Sequence, residues 1–166
     1  MAPHGHSQET AEDEASAQSI IISEVLASPN GMKNNETCSN CYNATDWNGD
    51  GEYGKFSDQF IELYNPTSNP INISNWVLDD IADGGSAPCQ LARNTIIQPG
   101  EYVSVFINAS RIELDYYDGD TVNLYNDQGT LIDALSYPAR DSWYGNSYVP
   151  LAVSYTHLTL PTTLVV

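Results

Sequence analysis

The sequence predicts an all-β domain built as a β-sandwich, and three observations carry that reading. Short runs rich in Ile, Val, Tyr and Phe recur along the chain, set apart by Gly, Pro, Asn and Asp. These runs follow one another every 8 to 15 residues, the spacing of a sandwich and not of βα units. No stretch sustains an apolar period of 3.6, so less than about a tenth of the chain is expected to be helical. The chain has 166 residues, enough for one domain with its own core.

The predicted strands come in order. Residues 19–26 (SIIISEVL) open the domain, and 58–65 (DQFIELYN) place Phe60 and Tyr64 on one face and Ile61 and Leu63 on the other. Asn65-Pro66 and Asn69-Pro70 mark a turn into 71–78 (INISNWVL), read as one strand. Gln98-Pro99-Gly100 leads into 101–107 (EYVSVFI). Asp118-Gly119-Asp120 precedes 121–125 (TVNLY), and Asp127-Gln128-Gly129 turns the chain into 130–137 (TLIDALSY). Trp76, Phe60, Phe106 and Leu124, each on a separate strand, are expected to share the core between the sheets. Glu62 lies in phase with Phe60 and Tyr64 and therefore needs hydrogen-bond partners, for which backbone amides of an opposing loop are the expected source.

Both ends are expected to lie outside the fold. Residues 1–18 are polar and acidic, with Glu9, Glu12, Asp13 and Glu14 together and no apolar signal-peptide core, and read as disordered linker. His4 and His6 on such a tail make a weak metal site. Residues 153–162 (VSYTHLTLPT) resemble a translated sequencing adapter, so 153–166 is expected to be a foreign tail and 19–152 the domain. That tail should be dispensable for folding, although its alternation would let it add to a free sheet edge.

Charge narrows the function. Lys and Arg number 5 against 22 Asp and Glu, a net charge of −17. Such a chain repels phosphate backbones, so direct nucleic-acid binding is not expected. No apolar run is long enough for membrane insertion.

The long segment 29–57 is where chemistry concentrates. Asp46-Trp47-Asn48-Gly49-Asp50-Gly51-Glu52 matches the opening of a calcium loop, D-x-[DN]-x-[DN]-G. Alternate oxygen-bearing side chains on a tightly curved backbone converge on one hard cation. The expected ligands are Asp46, Asn48, Asp50, the carbonyl of Glu52, and Asp58, since Ser57 stands where a helix-flanked loop would carry Glu. Ca2+ is the expected cofactor. Asp79, Asp80 and Asp83 form a candidate second cation set, for which a solvated acidic loop is the alternative. Cys38 and Cys41, spaced C-x-x-C, and Cys89 are disulfide candidates: a small Cys38–Cys41 ring, or one of the two joined to Cys89. A zinc site lacks further soft ligands. Sequons fall at Asn35, Asn43, Asn72 and Asn108.

The ordered set of motifs resembles the lamin tail domain. Ser23-Glu24-Val25 in the first strand, Phe60, Glu62 and Asn65 in the second, then Trp76 and Leu78, Pro99-Gly100 with Phe106, Gly119-Asp120 with Val122 and Leu124, and finally Asp133 and Tyr137 fall on its pattern over roughly residues 19 to 145. The resemblance implies an immunoglobulin-like sandwich of about 8–9 strands and a non-catalytic module that binds a protein or cell-surface partner. With the calcium loop and the paired cysteines, it points to an extracellular or cell-surface setting. Within the fold there is no Ser-His-Asp set and no phosphate-cradling Gly loop. The alternative is an accessory domain of a secreted nuclease or phosphatase whose catalytic part is not in this sequence.

Overall fold

The computed structural model describes residues 19–29, 46–51, 58–81, 85–115, 117–139 and 162–164. Over these residues the chain forms ten strands and one short helix. The strands are β1 (Ile21–Leu26), β2 (Phe60–Tyr64), β3 (Ile71–Asn72), β4 (Val77–Asp79), β5 (Cys89–Gln90), β6 (Ile96–Ile97), β7 (Tyr102–Phe106), β8 (Gly119–Tyr125), β9 (Leu131–Pro138) and β10 (Thr162–Leu164). The helix, α1, is the single turn Ile107–Ser110. The strands make two four-stranded sheets, in the orders β1-β2-β7-β10 and β5-β4-β8-β9, and a small β3-β6 ribbon. All pairings are antiparallel except β10 on β7. The expected sandwich is the architecture found.

The first strand carries a bulge between Ile22 and Glu24. Ile20 and Ile22 lie in the main apolar cluster, and so do Val25 and Ala27. A regular strand could not bury both an even and an odd pair on one face. The extra residue Ser23 shifts the phase.

The segment read as one strand over 71–78 is two. Asn75 has φ of 62°, and the Trp76 N–H donates to the Ile73 carbonyl at 3.1 Å, closing a turn between β3 and β4. Asn72 drives it: its side-chain oxygen accepts from the Ser74 N–H at 2.9 Å. Asn in both roles is the ordinary chemistry of such turns. The chain thereby leaves the β3-β6 ribbon and enters the second sheet.

The inter-sheet core joins Ile61, Leu63 and Val105 to Leu78, Val122, Leu124 and Trp76. Phe60 and Phe106 are buried as expected, but elsewhere. They pack with Leu26 in a second cluster, covered by the half-buried Trp47. The correction follows from parity: Ile61 and Leu63 face the other sheet, so Phe60 faces away.

Asn65 fastens the end of β2. It is fully buried, and its amide nitrogen donates to the carbonyls of Asn69 and Ile97, both at 2.8 Å. Its Oδ1 accepts from the Thr67 amide and hydroxyl.

Candidate functional site

The 46–51 segment is curled around one carboxylate. Asp46 Oδ1 accepts from the Gly49 N–H at 2.6 Å and the Asp50 N–H at 3.2 Å, and Oδ2 accepts from the Gly51 N–H at 2.8 Å. Asn48 sits beside Asp50, donating from Nδ2 to Asp50 Oδ2 at 2.9 Å and accepting the Asp50 N–H at the same distance. Gly51, at the sixth position of the motif, has φ of 85°, which a side chain would strain. Asp58 is 1% exposed, and its Oδ1 accepts from the Trp47 N–H at 2.9 Å. The start of the segment is thus tied to Asp58, just before β2. Trp47 anchors the curl by packing on Phe60, with ring centroids 5.7 Å apart.

Asp46, Asn48 and Asp50 therefore share one curl, and Asp58 is joined to it through the Trp47 N–H. Glu52 lies outside the described residues. Among the described residues no three His, Cys, Asp or Glu side chains converge as a group able to hold a metal ion. Trp47 was not among the residues singled out from the sequence, although an aromatic inside an otherwise polar loop is a signal of anchoring.

The Asp80 carboxylate is engaged by its own turn. Its carboxylate accepts from the Ile81 N–H at 2.7 Å, the Ser86 N–H at 2.9 Å and the Ser86 hydroxyl at 2.7 Å. Burial alone would raise its pKa, but the Ser86 hydroxyl and these amides outweigh it, and the net shift is downward. A Cβ on Gly85, whose φ is 63°, would stand 2.4 Å from Asp80 Oδ1. The Asp80 carboxylate takes the space that any other residue at 85 would need. Asp79 is half-buried in β4, and Asp83 lies outside the described residues.

Beside this turn stands a group that sequence reading missed. Asp120 is pushed above the usual carboxylate range by burial first, and further by the charges of Asp80 and Asp115. The buried Tyr137 phenol is pushed up by its own burial and by Asp120, Asp115 and Asp80. Those four side chains come from the turn after β4, from β8, from β9 and from the segment before β8, so no local pattern joins them.

Glu62 is 7% exposed on the central strand β2. The Ser23 hydroxyl at the bulge donates to its Oε1 at 2.6 Å. The partner is a side chain of the neighbouring strand and not the loop amides expected from the sequence. Desolvation raises the Glu62 pKa, the Ser23 bond opposes this, and Glu24 across the ladder adds to the rise.

Cys89 in β5 is a free, buried thiol, and burial pushes its pKa up. Cys38 and Cys41 lie outside the described residues, as do His4, His6, Asn35 and Asn43. Asn72 is exposed in β3. No helix of the described residues is long and apolar enough to cross a membrane.

The family model described as Lamin Tail Domain matches residues 13–139. No curated protein matches the chain.

Proposed function

The chain belongs to the lamin tail domain family, a family of non-catalytic immunoglobulin-like modules, and from that premise we propose that it is an interaction or adhesion module of a secreted or cell-surface protein, its 46–58 loop held by calcium. One observation carries the calcium reading: a single carboxylate, Asp46, gathers the N–H groups of Gly49, Asp50 and Gly51, so the backbone is curled with Asn48 and Asp50 on its rim. Asp58, tied to the Trp47 amide, closes the same neighbourhood. The donor set is hard oxygen, which suits Ca2+ and leaves no soft ligand for zinc. Binding includes a contraction of the loop, with Asp50 and Asp58 drawn toward Asp46. Bound calcium would offset the repulsion among these carboxylates and fix the Trp47 anchor against Phe60 and Phe106. Extracellular calcium is abundant enough for a site with few carboxylates, which ties the reading to a secreted or surface location.

Thermal melting tests it. Calcium should raise the Tm with its concentration and then level off, and magnesium should do less at equal ionic strength. Asp50→Ala should remove most of the rise while leaving the β-sheet circular dichroism intact. Identical melts with excess calcium and with chelator, at constant ionic strength, would remove calcium from the function.

A further inference from the structure

The β3-β6 ribbon has two faces. Ile71 and Ile97 stand opposite one another, and both pack on the main core. Asn72 and Ile96 form the other cross-strand pair, and alternation turns them outward. Ile96 is 49% exposed, one of the few large apolar side chains at the surface of the described residues. Side chains directly opposite in an antiparallel pair stand about 4.5–5.5 Å apart at Cβ, so a group attached to Asn72 reaches Ile96.

Asn72 opens the sequon Asn72-Ile73-Ser74 and is exposed. The turn fixes the way its amide points. The Ser74 N–H can only donate, so the atom it meets at 2.9 Å is the amide oxygen. The Ser74 hydroxyl donates to the same oxygen. Nδ2, the atom to which a sugar is joined, is left on the other side, and among the described residues it has no hydrogen-bond partner. A sugar bonded there displaces no contact of the fold. The sequon at Asn108 is placed differently. Its Ser110 hydroxyl is 4% exposed, donates to the Ile107 carbonyl and accepts from the Ile112 N–H.

We propose that Asn72 is an N-glycan acceptor, and that the first sugar of the glycan lies on Ile96 and takes its apolar surface out of water. The donor is an oligosaccharide carried on a polyprenyl diphosphate. In the transfer, Nδ2 forms a C–N bond to the anomeric carbon and loses one proton. The C–O bond to the diphosphate breaks, and the diphosphate leaves with the electron pair. The amide oxygen is untouched, so the Ser74 N–H keeps its acceptor and the turn between β3 and β4 survives. A pyranose ring turns an apolar C–H face to Ile96 and its hydroxyls to water, which makes the ribbon surface more soluble. The proposal deepens the reading of a secreted or cell-surface module and rests on it, since the donor is met on the secretory route.

The test uses the full chain, sent through the secretory pathway of a glycosylating host by an added cleavable leader. Peptide mass spectrometry should find a glycan on Asn72. Ser74→Ala should leave Asn72 bare, and Ser74→Thr should keep it glycosylated. The contact with Ile96 is read in a chain with Asn35, Asn43 and Asn108 changed to Gln, so that sugar sits on Asn72 alone. Trimming the glycan to its first sugar should leave the Tm unchanged. Removing that sugar with an amidase, which turns Asn72 into an aspartate that still accepts from Ser74, should lower it. With Ile96→Ser added, that drop should vanish. If the triple-Gln chain does not fold, nuclear Overhauser contacts between the first sugar and the Ile96 methyls in the original chain decide. A bare Asn72 in the secreted, folded chain overturns the proposal, and so does an equal drop in Tm with Ile and with Ser at 96. Calcium melts are read separately: a glycan on Asn72 with flat melts sinks the calcium reading alone, and a calcium effect with a bare Asn72 sinks the glycan alone.

Discussion

Glu62 stands on the central strand of its sheet with one hydroxyl donor, Ser23, and a second carboxylate, Glu24, across the ladder. Its raised pKa has a definite consequence for stability. The folded state holds the proton more tightly than the unfolded chain, whose value is near 4.5. The stabilisation is fully present below that value and is lost as pH rises through the raised folded value. Glu62→Gln keeps an acceptor for Ser23 and removes the buried charge. It should raise the Tm at neutral pH, by roughly 2–4 °C for each kcal/mol gained, and flatten the loss of stability above pH 4.5 in melts across pH. Ser23→Ala should act oppositely at neutral pH, costing about 1–3 kcal/mol in denaturant unfolding by leaving the carboxylate without its donor. Cys89 offers a second check at this scale. With a Cys38–Cys41 ring, thiol titration without reductant should find no reactive group in the folded protein and one after unfolding.

The turns are set by short polar side chains acting on their own backbone. Asn126 shapes the β8–β9 hairpin, its Oδ1 accepting from the Gln128 N–H at 3.0 Å and the Thr130 N–H at 2.8 Å. Asp80 does the same for the turn after β4, and there the fit is tight. Gly85→Ala would combine an unfavourable φ with a Cβ 2.4 Å from the Asp80 carboxylate. It should destabilise the domain by about 1–3 kcal/mol in denaturant unfolding. Gly51→Ala is strained at φ of 85° but meets no atom within 4 Å, so its effect should fall on the 46–51 loop and less on global stability.

Across the molecule, the net charge of −17 opposes compaction. Monovalent salt should therefore raise the Tm steadily between about 10 mM and 0.15 M, where the screening length falls from roughly 30 Å to 8 Å. That rise should survive Asp50→Ala, whereas the calcium rise should not, which separates general screening from the loop. The sheets also meet at one side through the Ile22 N–H and Asp133. Asp133→Ala would leave that amide without its acceptor and open the β1 edge, and light scattering on warming should report earlier association than in the original chain.

Residues near one another in sequence determined most of what could be read without coordinates. Alternation in 58–65 and 101–107 gave central strands β2 and β7, because a strand buried on both faces needs apolar residues at both parities. The ordered lamin-tail motifs gave the family. The D-x-N-x-D-G spacing placed Asp46, Asn48 and Asp50 on one curl, because five residues of tight backbone are governed by their own side chains. Tertiary structure decided what depends on phase and on distant partners. The bulge at Ser23 re-aimed β1 and gave Glu62 its donor. Asn75 broke the strand read across 71–78. Parity sent Phe60 and Phe106 to the face opposite Trp76 and Leu124. The Asp80, Asp115, Asp120 and Tyr137 side chains come from segments far apart along the chain. No local pattern encodes them, because the energy of a buried charge or an exposed edge is set by what the fold brings beside it.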